Sequence, residues 1–434
     1  MNCFDLPHGL AQCITVSKPW LELVVGLTGI GTFALVALLT WIIKRMRTEN
    51  ETAKKAYDEA LRDKQRAEAM LRDTDRELGA VKHQLDLCRL AKSGETTEIA
   101  RALEVALQEN ERLQSRSALV RRMTNDGDAA FWSQEPQSDR RFVGYDERLE
   151  SSIPILLLAA QKGGVGKSTL STNLAACFAD SGERVLAVDM DYQGTSSAQM
   201  IRQAGLRLGT DQSRVDQLLQ DQLPPHWQNA ILQVTSNLHF LPAFYGLEAL
   251  ERREEYRWVL GDTQDDVRYR LARALLSDYV KQTYTLVIID APPRMTLGFV
   301  NGFCASTHLF APTVVDSAAA SALGRFAQQF RRLTPKINGT LRFAGIIGTM
   351  TNAGPQLPNV NKEIADLAEA QVSEELEGSG FDRPLFIREA VMQRSAPLAA
   401  AAQSGIAYWQ APATQPIFNA IADAIRPRFG RRTR

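Results

Sequence analysis

The chain has 434 residues, 50 of them basic and 50 acidic, so its formal net charge at pH 7 is zero. That length exceeds one average hydrophobic core and predicts two or three structural units. A balanced charge excludes a partner selected by overall charge and leaves only local basic surface. Cys3, Cys13, Cys88, Cys177 and Cys304 are scattered, with no CxxC spacing and no histidine cluster, which argues against a zinc site or a disulfide scaffold. Cys3 and Cys13 could pair only if the N-terminus faces an oxidising compartment.

Residues 1–22 lead into an uncharged apolar run, residues 23–43 (LVVGLTGIGTFALVALLTWII), whose length matches the roughly 20 residues that cross a bilayer core. Trp20 and Trp41 mark its two ends, and Lys44, Arg45 and Arg47 follow at once. The positive-inside bias then predicts a single-pass protein of the bacterial inner membrane, N-terminus outside and the remainder cytoplasmic. A cleaved signal peptide is the alternative, but no small-residue cleavage site follows and the charge lies on the far side.

Residues 44–122 are rich in Ala, Glu, Lys, Arg, Gln and Leu, and from Thr48 onward they read as a long helical stalk broken near Ser93 and Gly94. A heptad seam runs through Tyr57, Lys64, Leu71, Leu78 and Leu85, with Ala60, Ala67, Thr74, Val81 and Cys88 at the second seam position. Beyond the break, Leu103 and Asn110 alternate with Ile99, Ala106 and Leu113. A coiled coil and a solvated single helix both fit. Residues 123–150, containing DGDAAFWSQEPQSDRR, read as a linker. A globular domain is expected over 151–426 and a basic tail over 427–434.

That domain opens on an uninterrupted apolar run, IPILLLAA (153–160), the mark of a strand buried on both faces of a parallel sheet. The loop QKGGVGKST follows, then helix-forming residues 168–179. Strand, glycine loop and helix in this order make a phosphate cradle. The backbone of Gly163, Gly164, Val165 and Gly166 closes around phosphates, Lys167 reaches the terminal ones, Ser168 can ligate Mg²⁺, and Thr169 continues the helix N-terminus. A second strand, 184–188, ends in DMDYQG and places Asp189 and Asp191 at the carboxyl edge of the sheet. A third, 284–289, ends in DAPP and places Asp290 there for Mg²⁺.

KGGVGKST, DMDYQG, LPAF (241–244) and VIIDAPP occur in the order and approximate spacing of the ParA/MinD family of deviant Walker A ATPases, and the resemblance covers roughly residues 153–426. It implies an α/β fold with a doubly wound, mostly parallel sheet, ATP and Mg²⁺ as cofactors, an ATP-dependent homodimer and a protein partner that stimulates hydrolysis. Lys162 corresponds to the signature lysine that reaches the partner subunit's nucleotide, and Lys167 to the phosphate lysine in cis. By the same resemblance Ser168 is the Mg²⁺ ligand, Asp191 positions the attacking water, Asp189 assists the metal shell and Asp290 is the Walker B carboxylate. Tyr192 stands where the family usually has proline, which loosens that turn. A further strand, 341–350, ends near Asn352, an adenine contact by the resemblance and an ordinary turn residue otherwise. Residues 387–405 resemble the family's late loop and helix near the base.

Ile417, Phe418, Ile421 and Ile425 share a helical face ahead of Arg426, Arg428, Arg431, Arg432 and Arg434. This end is a solvated tail, a non-specific DNA contact or a lipid contact. The leading functional expectation is a membrane-anchored dimerising nucleotide switch that positions, partitions or regulates a partner complex. The alternatives are a tyrosine-kinase-like Walker protein and a non-hydrolysing nucleotide-binding scaffold.

Overall fold

A computed structural model of the chain describes residues 79, 82, 101, 103–112, 114, 128–134, 142–207, 213–351, 359–377, 381 and 383–429. The chain divides into two units, Met1–Glu77 and Leu78–Arg434, and every described residue belongs to the second. The expected membrane span 23–43 and most of the stalk, including its heptad seam from Tyr57 to Cys88, lie outside the described residues. Among the described residues no helix is long and apolar enough to cross a membrane. Residues 103–112 are helical, with Leu103, Ala106 and Asn110 half-buried and Val105 and Leu107 exposed, the spacing expected of one helical stripe.

An eight-stranded sheet organises the rest. Its strands are β1 (Ile155–Leu158), β2 (Val185–Asp189), β3 (Leu232–Gln233), β4 (Leu238–Leu241), β5 (Leu286–Asp290), β6 (His308–Val314), β7 (Arg342–Thr351) and β8 (Phe386–Gln393). Across the sheet they run β3-β4-β2-β5-β1-β6-β7-β8, all parallel except the short edge strand β3. The three central sequences ILLL, VLAVD and LVIID are buried at every position, as an apolar run without alternation requires when helices cover both faces.

The helices are α1 (Asp128–Trp132), α2 (Tyr145–Glu150), α3 (Lys167–Asp180), α4 (Thr195–Gln203), α5 (Tyr245–Leu260), α6 (Arg270–Leu275), α7 (Asp278–Thr283), α8 (Leu297–Ala305), α9 (Ser317–Ile337), α10 (Asn359–Glu375), α11 (Ala396–Ser404), α12 (Ala407–Gln410) and α13 (Gln415–Phe429). Leu156, Leu158, Val185, Phe240 and Ile288 join one core with Leu170, Leu174 and Phe178 of α3 and with Phe418, Ile421 and Ile425 of α13. On the opposite face α8 lies close to the sheet at Gly302, where an added Cβ would stand 3.1 Å from Leu157 Cδ1 and 3.4 Å from Ile289 Cγ2. A side chain there would push the helix away from β1 and β5.

Three segments carry structure beyond what their composition shows. Within the stretch read as a linker, Asp128–Trp132 and Tyr145–Glu150 form α1 and α2, with Phe131, Trp132, Tyr145 and Leu149 buried. The late segment expected as a loop begins instead as strand β8, paired in parallel with β7. The basic end does not become tail at 427. Helix α13 runs to Phe429, the Arg426 guanidinium pairs with Glu183 at 2.7 Å and lies 5.0 Å over the Phe178 ring, and Arg428 donates to the Ala344 carbonyl at 2.7 Å. Those two arginines serve packing, and Arg431, Arg432 and Arg434 lie outside the described residues. Cys177 and Cys304 are buried and outside any disulfide.

Because Phe418 fills the joint between α13 and the sheet with no exposed surface, Phe418→Ala is expected to lower the unfolding free energy by about 3–5 kcal/mol in urea titration.

Candidate active site

The carboxyl ends of β1, β2 and β5 meet in register. Leu158 pairs with Asp290 and Asp189 pairs with Asp290, so the glycine loop after β1 and two acidic strand ends share one edge. The loop is built for close approach. Gly164 and Gly166 take left-handed backbone angles, φ 75° and 81°, and α3 begins directly after Gly166, its first N–H groups facing the loop. Thr349 of β7 donates its hydroxyl hydrogen to the Val165 carbonyl at 2.6 Å, fixing the loop to the sheet. A Cβ at Gly166 would stand 2.6 Å from the Met392 methyl and 3.1 Å from that of Met350, so two methionines floor the loop.

Lys167, the first residue of α3, is 7% exposed, and among the described residues its ammonium makes no hydrogen bond or ion pair. Its charge acts on Asp290 and Asp191, lowering both carboxyls against the larger effect of burial, which raises them. Asp290 accepts a short hydrogen bond from the Ser196 hydroxyl through Oδ2, while its Oδ1 is buried with no partner. Lys167, largely buried as a residue, and the buried orphan Oδ1 of Asp290 lie beside the backbone N–H groups of the glycine loop, an arrangement that a ligand would complete. A polyphosphate fits the first and the donor ring, and a divalent cation fits the second. Among the described residues no three acidic, histidine or cysteine side chains form a metal cage. The orphan Asp290 oxygen, with Ser168 beside it, suits Mg²⁺, which keeps waters and phosphate oxygens and takes few protein ligands.

Asp189 and Asp191 have different work. Asp189 Oδ1 accepts from the Asp191 amide at 3.0 Å, and Oδ2 accepts from the Ser197 amide at 2.9 Å and the Ser197 hydroxyl at 2.7 Å. The expected metal-shell carboxylate thus spends both oxygens bracing the loop after β2, which leaves Asp290 Oδ1 as the carboxylate oxygen without a partner. Burial pushes the Asp189 carboxyl well above its ordinary range, and the Asp290 charge beside it adds to this. Asp191 is buried, with Oδ1 accepting from Gln193 N at 3.0 Å and its carbonyl from Gly194 N at 2.8 Å. These two bonds close the turn that Tyr192 leaves without proline, and the Tyr192 ring faces Tyr245 at 6.3 Å.

Lys162 is outside this cluster. Its ammonium, 42% exposed, pairs with Asp316 Oδ2 at 3.4 Å. Gly163 and Ser168 sit in the loop and in the first turn of α3 as expected. Asn352 lies outside the described residues.

Several residues of the site carried no sequence signal. Ser196 reaches Asp290, and Ser197 links Asp189 to the Ala243 amide, which donates to its hydroxyl at 2.9 Å. Met350 and Met392 come from strands distant in sequence. Glu251 and Glu255, one turn apart on α5, cap the first turn of α8. Glu251 Oε1 accepts from Thr296 Oγ1 at 2.7 Å and Gly298 N at 2.6 Å, and Glu255 Oε1 from Leu297 N at 3.2 Å. Burial pushes their carboxyls up to about 7 and about 8, the Glu251 charge adding to the shift of Glu255.

Comparison with known proteins places this geometry. A family model described as an AAA domain matches residues 153–343. The sporulation initiation inhibitor protein Soj of Bacillus subtilis is 33% identical over 206 residues, 47% of this chain and 75% of that protein. The chromosome partitioning protein ParA of Caulobacter vibrioides is 30% identical over 241 residues, 55% of this chain and 84% of that protein. Among solved structures, a Cyanothece McdA–ATP complex superimposes with a TM-score of 0.50 at 18% identity, covering 65% of this chain and 99% of that one, a likeness of fold. A glycine loop between a buried strand and a helix, with acidic ends on the neighbouring strands, defines a P-loop nucleotide-binding protein. Within that class the chain belongs to the ParA/MinD family of P-loop ATPases.

Two outcomes follow. Ser197→Ala removes a donor to Asp189 and the acceptor of Ala243 N, and is expected to cost about 1–3 kcal/mol in urea unfolding. The raised carboxyls of Glu251 and Glu255 hold protons in the native state that the unfolded chain releases, so their contribution is present at acid pH and lost as pH rises through about 7 and about 8. Unfolding free energy measured over that rise should fall less steeply in the double variant Glu251→Gln with Glu255→Gln.

Proposed function

We propose that this chain is a Mg²⁺-dependent ATPase that works as a dimerising switch in partitioning or positioning a partner complex, held at the bacterial inner membrane by residues 23–43. The observation that carries the reading is the buried orphan Oδ1 of Asp290 at the foot of the glycine loop, with the charge of the largely buried Lys167 acting on the same carboxyl. The partitioning relatives supply the process: the names of the Bacillus and Caulobacter proteins place them in sporulation control and chromosome partitioning. That kinship favours a partitioning role over the kinase-like alternative.

In this reading Lys167, the amides of 163–168 and the N-terminus of α3 hold the phosphates, and Ser168 and Asp290 serve the metal side. Mg²⁺, when bound, neutralises charge on the phosphate oxygens. Asp191, fixed by Gln193 N and Gly194 N, orients the attacking water. Lys162 is left for work elsewhere. Its half-exposed pair with Asp316 is worth little in water and is readily exchanged, which suits a lysine delivered to the partner subunit's phosphates, as an arginine finger is delivered in trans. Confinement to a membrane raises the effective concentration of subunits and favours that dimer. A stimulating protein partner, and DNA contact through Arg431, Arg432 and Arg434, belong to the same proposal.

The test is ATPase rate per subunit against protein concentration. The wild type should show a rate that rises with concentration, and Lys162→Ala should fall at least about 100-fold in kcat while still binding nucleotide. A wild-type rate independent of concentration and unchanged by Lys162→Ala would contradict the in-trans arrangement.

A further inference from the structure

Ahead of the nucleotide domain the chain does not simply arrive; it is fastened across helix α8, which begins just after the Asp290 loop. Trp132 is 2% exposed and donates its indole N–H to the Met295 carbonyl at 2.8 Å, two residues before α8 starts. Thirteen residues later in the sequence, the Tyr145 hydroxyl donates to the Cys304 carbonyl at 2.6 Å, in the last turn of α8. Both ends of one helix are thereby pinned by the same incoming segment.

The fastening at Trp132 is reinforced on every side. Its ring stacks on Trp258 of α5 with centroids 5.2 Å apart and planes 9° from parallel, and Phe131 meets both rings edge-on. Arg268, 1% exposed, donates to the Trp132 carbonyl at 2.8 Å and the Gln134 carbonyl at 2.6 Å. The same guanidinium is held by Asp266 through bonds of 2.8 and 2.6 Å and lies 5.1 Å over Trp258. A buried arginine spent on two main-chain carbonyls of a seven-residue segment fixes that segment's path, since a guanidinium left unpaired in the interior is strongly unfavourable. Burial raises the Asp128 carboxyl, and the charge of Arg294, in the same loop as Met295, partly lowers it.

Between Asp290 and α8 there are only the residues 291–296, and one of them, Met295, is bonded directly to α1. We infer that Trp132 is a positioning residue for the Asp290 loop, through which residues 128–134 set the geometry of the nucleotide site. This rests on the ATPase reading above. Linkage makes the coupling reciprocal: if the strap biases the site, bound nucleotide biases the strap.

Trp132→Phe keeps an aromatic ring against Trp258 and removes only the N–H donor to Met295. In the purified full-length chain, we expect its affinity for a fluorescent ATP analogue to stay within about twofold of wild type while kcat falls about 5- to 10-fold, a split that a small misplacement of the metal-side carboxylate produces. In wild type, amide hydrogen exchange over 128–134 should slow severalfold on adding Mg²⁺ with a slowly hydrolysed ATP analogue, and this slowing should shrink in the variant. A wild type that hydrolyses ATP, a variant of equal kcat and exchange over 128–134 indifferent to nucleotide would overturn the inference and leave the ATPase reading standing. A wild type that neither binds nor hydrolyses ATP would overturn both. Should Trp132→Phe fail to fold, the wild-type exchange measurement decides alone, nucleotide-dependent protection supporting the coupling and its absence refuting it.

Discussion

One ammonium and three carboxylates, Lys167, Asp189, Asp191 and Asp290, are kept out of water where β1, β2 and β5 end, and much of the surrounding structure answers to that constraint. Removing charges from water costs several kcal/mol each unless partners are supplied. Asp189 is satisfied by three donors from the loop it braces, and Asp191 by its own turn. Asp290 is half satisfied, and Lys167 is left to a ligand. The cluster is thus complete as architecture and incomplete as chemistry, the condition of a site that binds polyphosphate and a cation together.

The site is also tied to parts of the chain that never touch it. Ser197 joins β2 to the segment after β4, and Glu251 and Glu255 join α5 to the first turn of α8. A second buried charge network, Arg270 with Asp265, Glu254 and Asp221, ties the segment before α6 to α5 and to the stretch between α4 and β3. Helix α5 is therefore a hub. It is held at one end beside the nucleotide loop, flanked by α8, and stacked through Trp258 against the incoming strap.

Legibility in the sequence followed range. Apolar runs without alternation mark β1, β2, β5 and β7 to within two residues, because a strand buried on both faces needs no alternation, and β1 is further marked by the glycine loop that follows it. The same constraint places Lys167, Asp191 and Asp290 at the carboxyl edge of the sheet, where the apolar runs end. Strand β6 is harder to read, since Pro312 interrupts it, and β3 is too short to show a period. The strap was misread as linker because its helices are five and six residues long, below any reliable periodicity, and because Trp132 and Arg268 are far apart in sequence. Composition around them, rich in Gly, Ser, Pro and charge, points to solvent; only tertiary contact shows that the aromatic residues leave it. The bonds of Asp189 to Ser197 are not legible locally, since Ser197 becomes its neighbour only when α4 folds back.

The central claim, a site whose own subunit supplies everything but Lys162, is tested most directly by mixing two inactive variants. Lys162→Ala lacks the delivered lysine and keeps its own pocket, and Asp191→Asn lacks the water-orienting carboxylate and keeps Lys162. In an equimolar mixture, mixed dimers contain one complete site, so ATPase activity should return to about a quarter of the wild-type rate with random pairing. A mixture no more active than the sum of its two components would contradict the account.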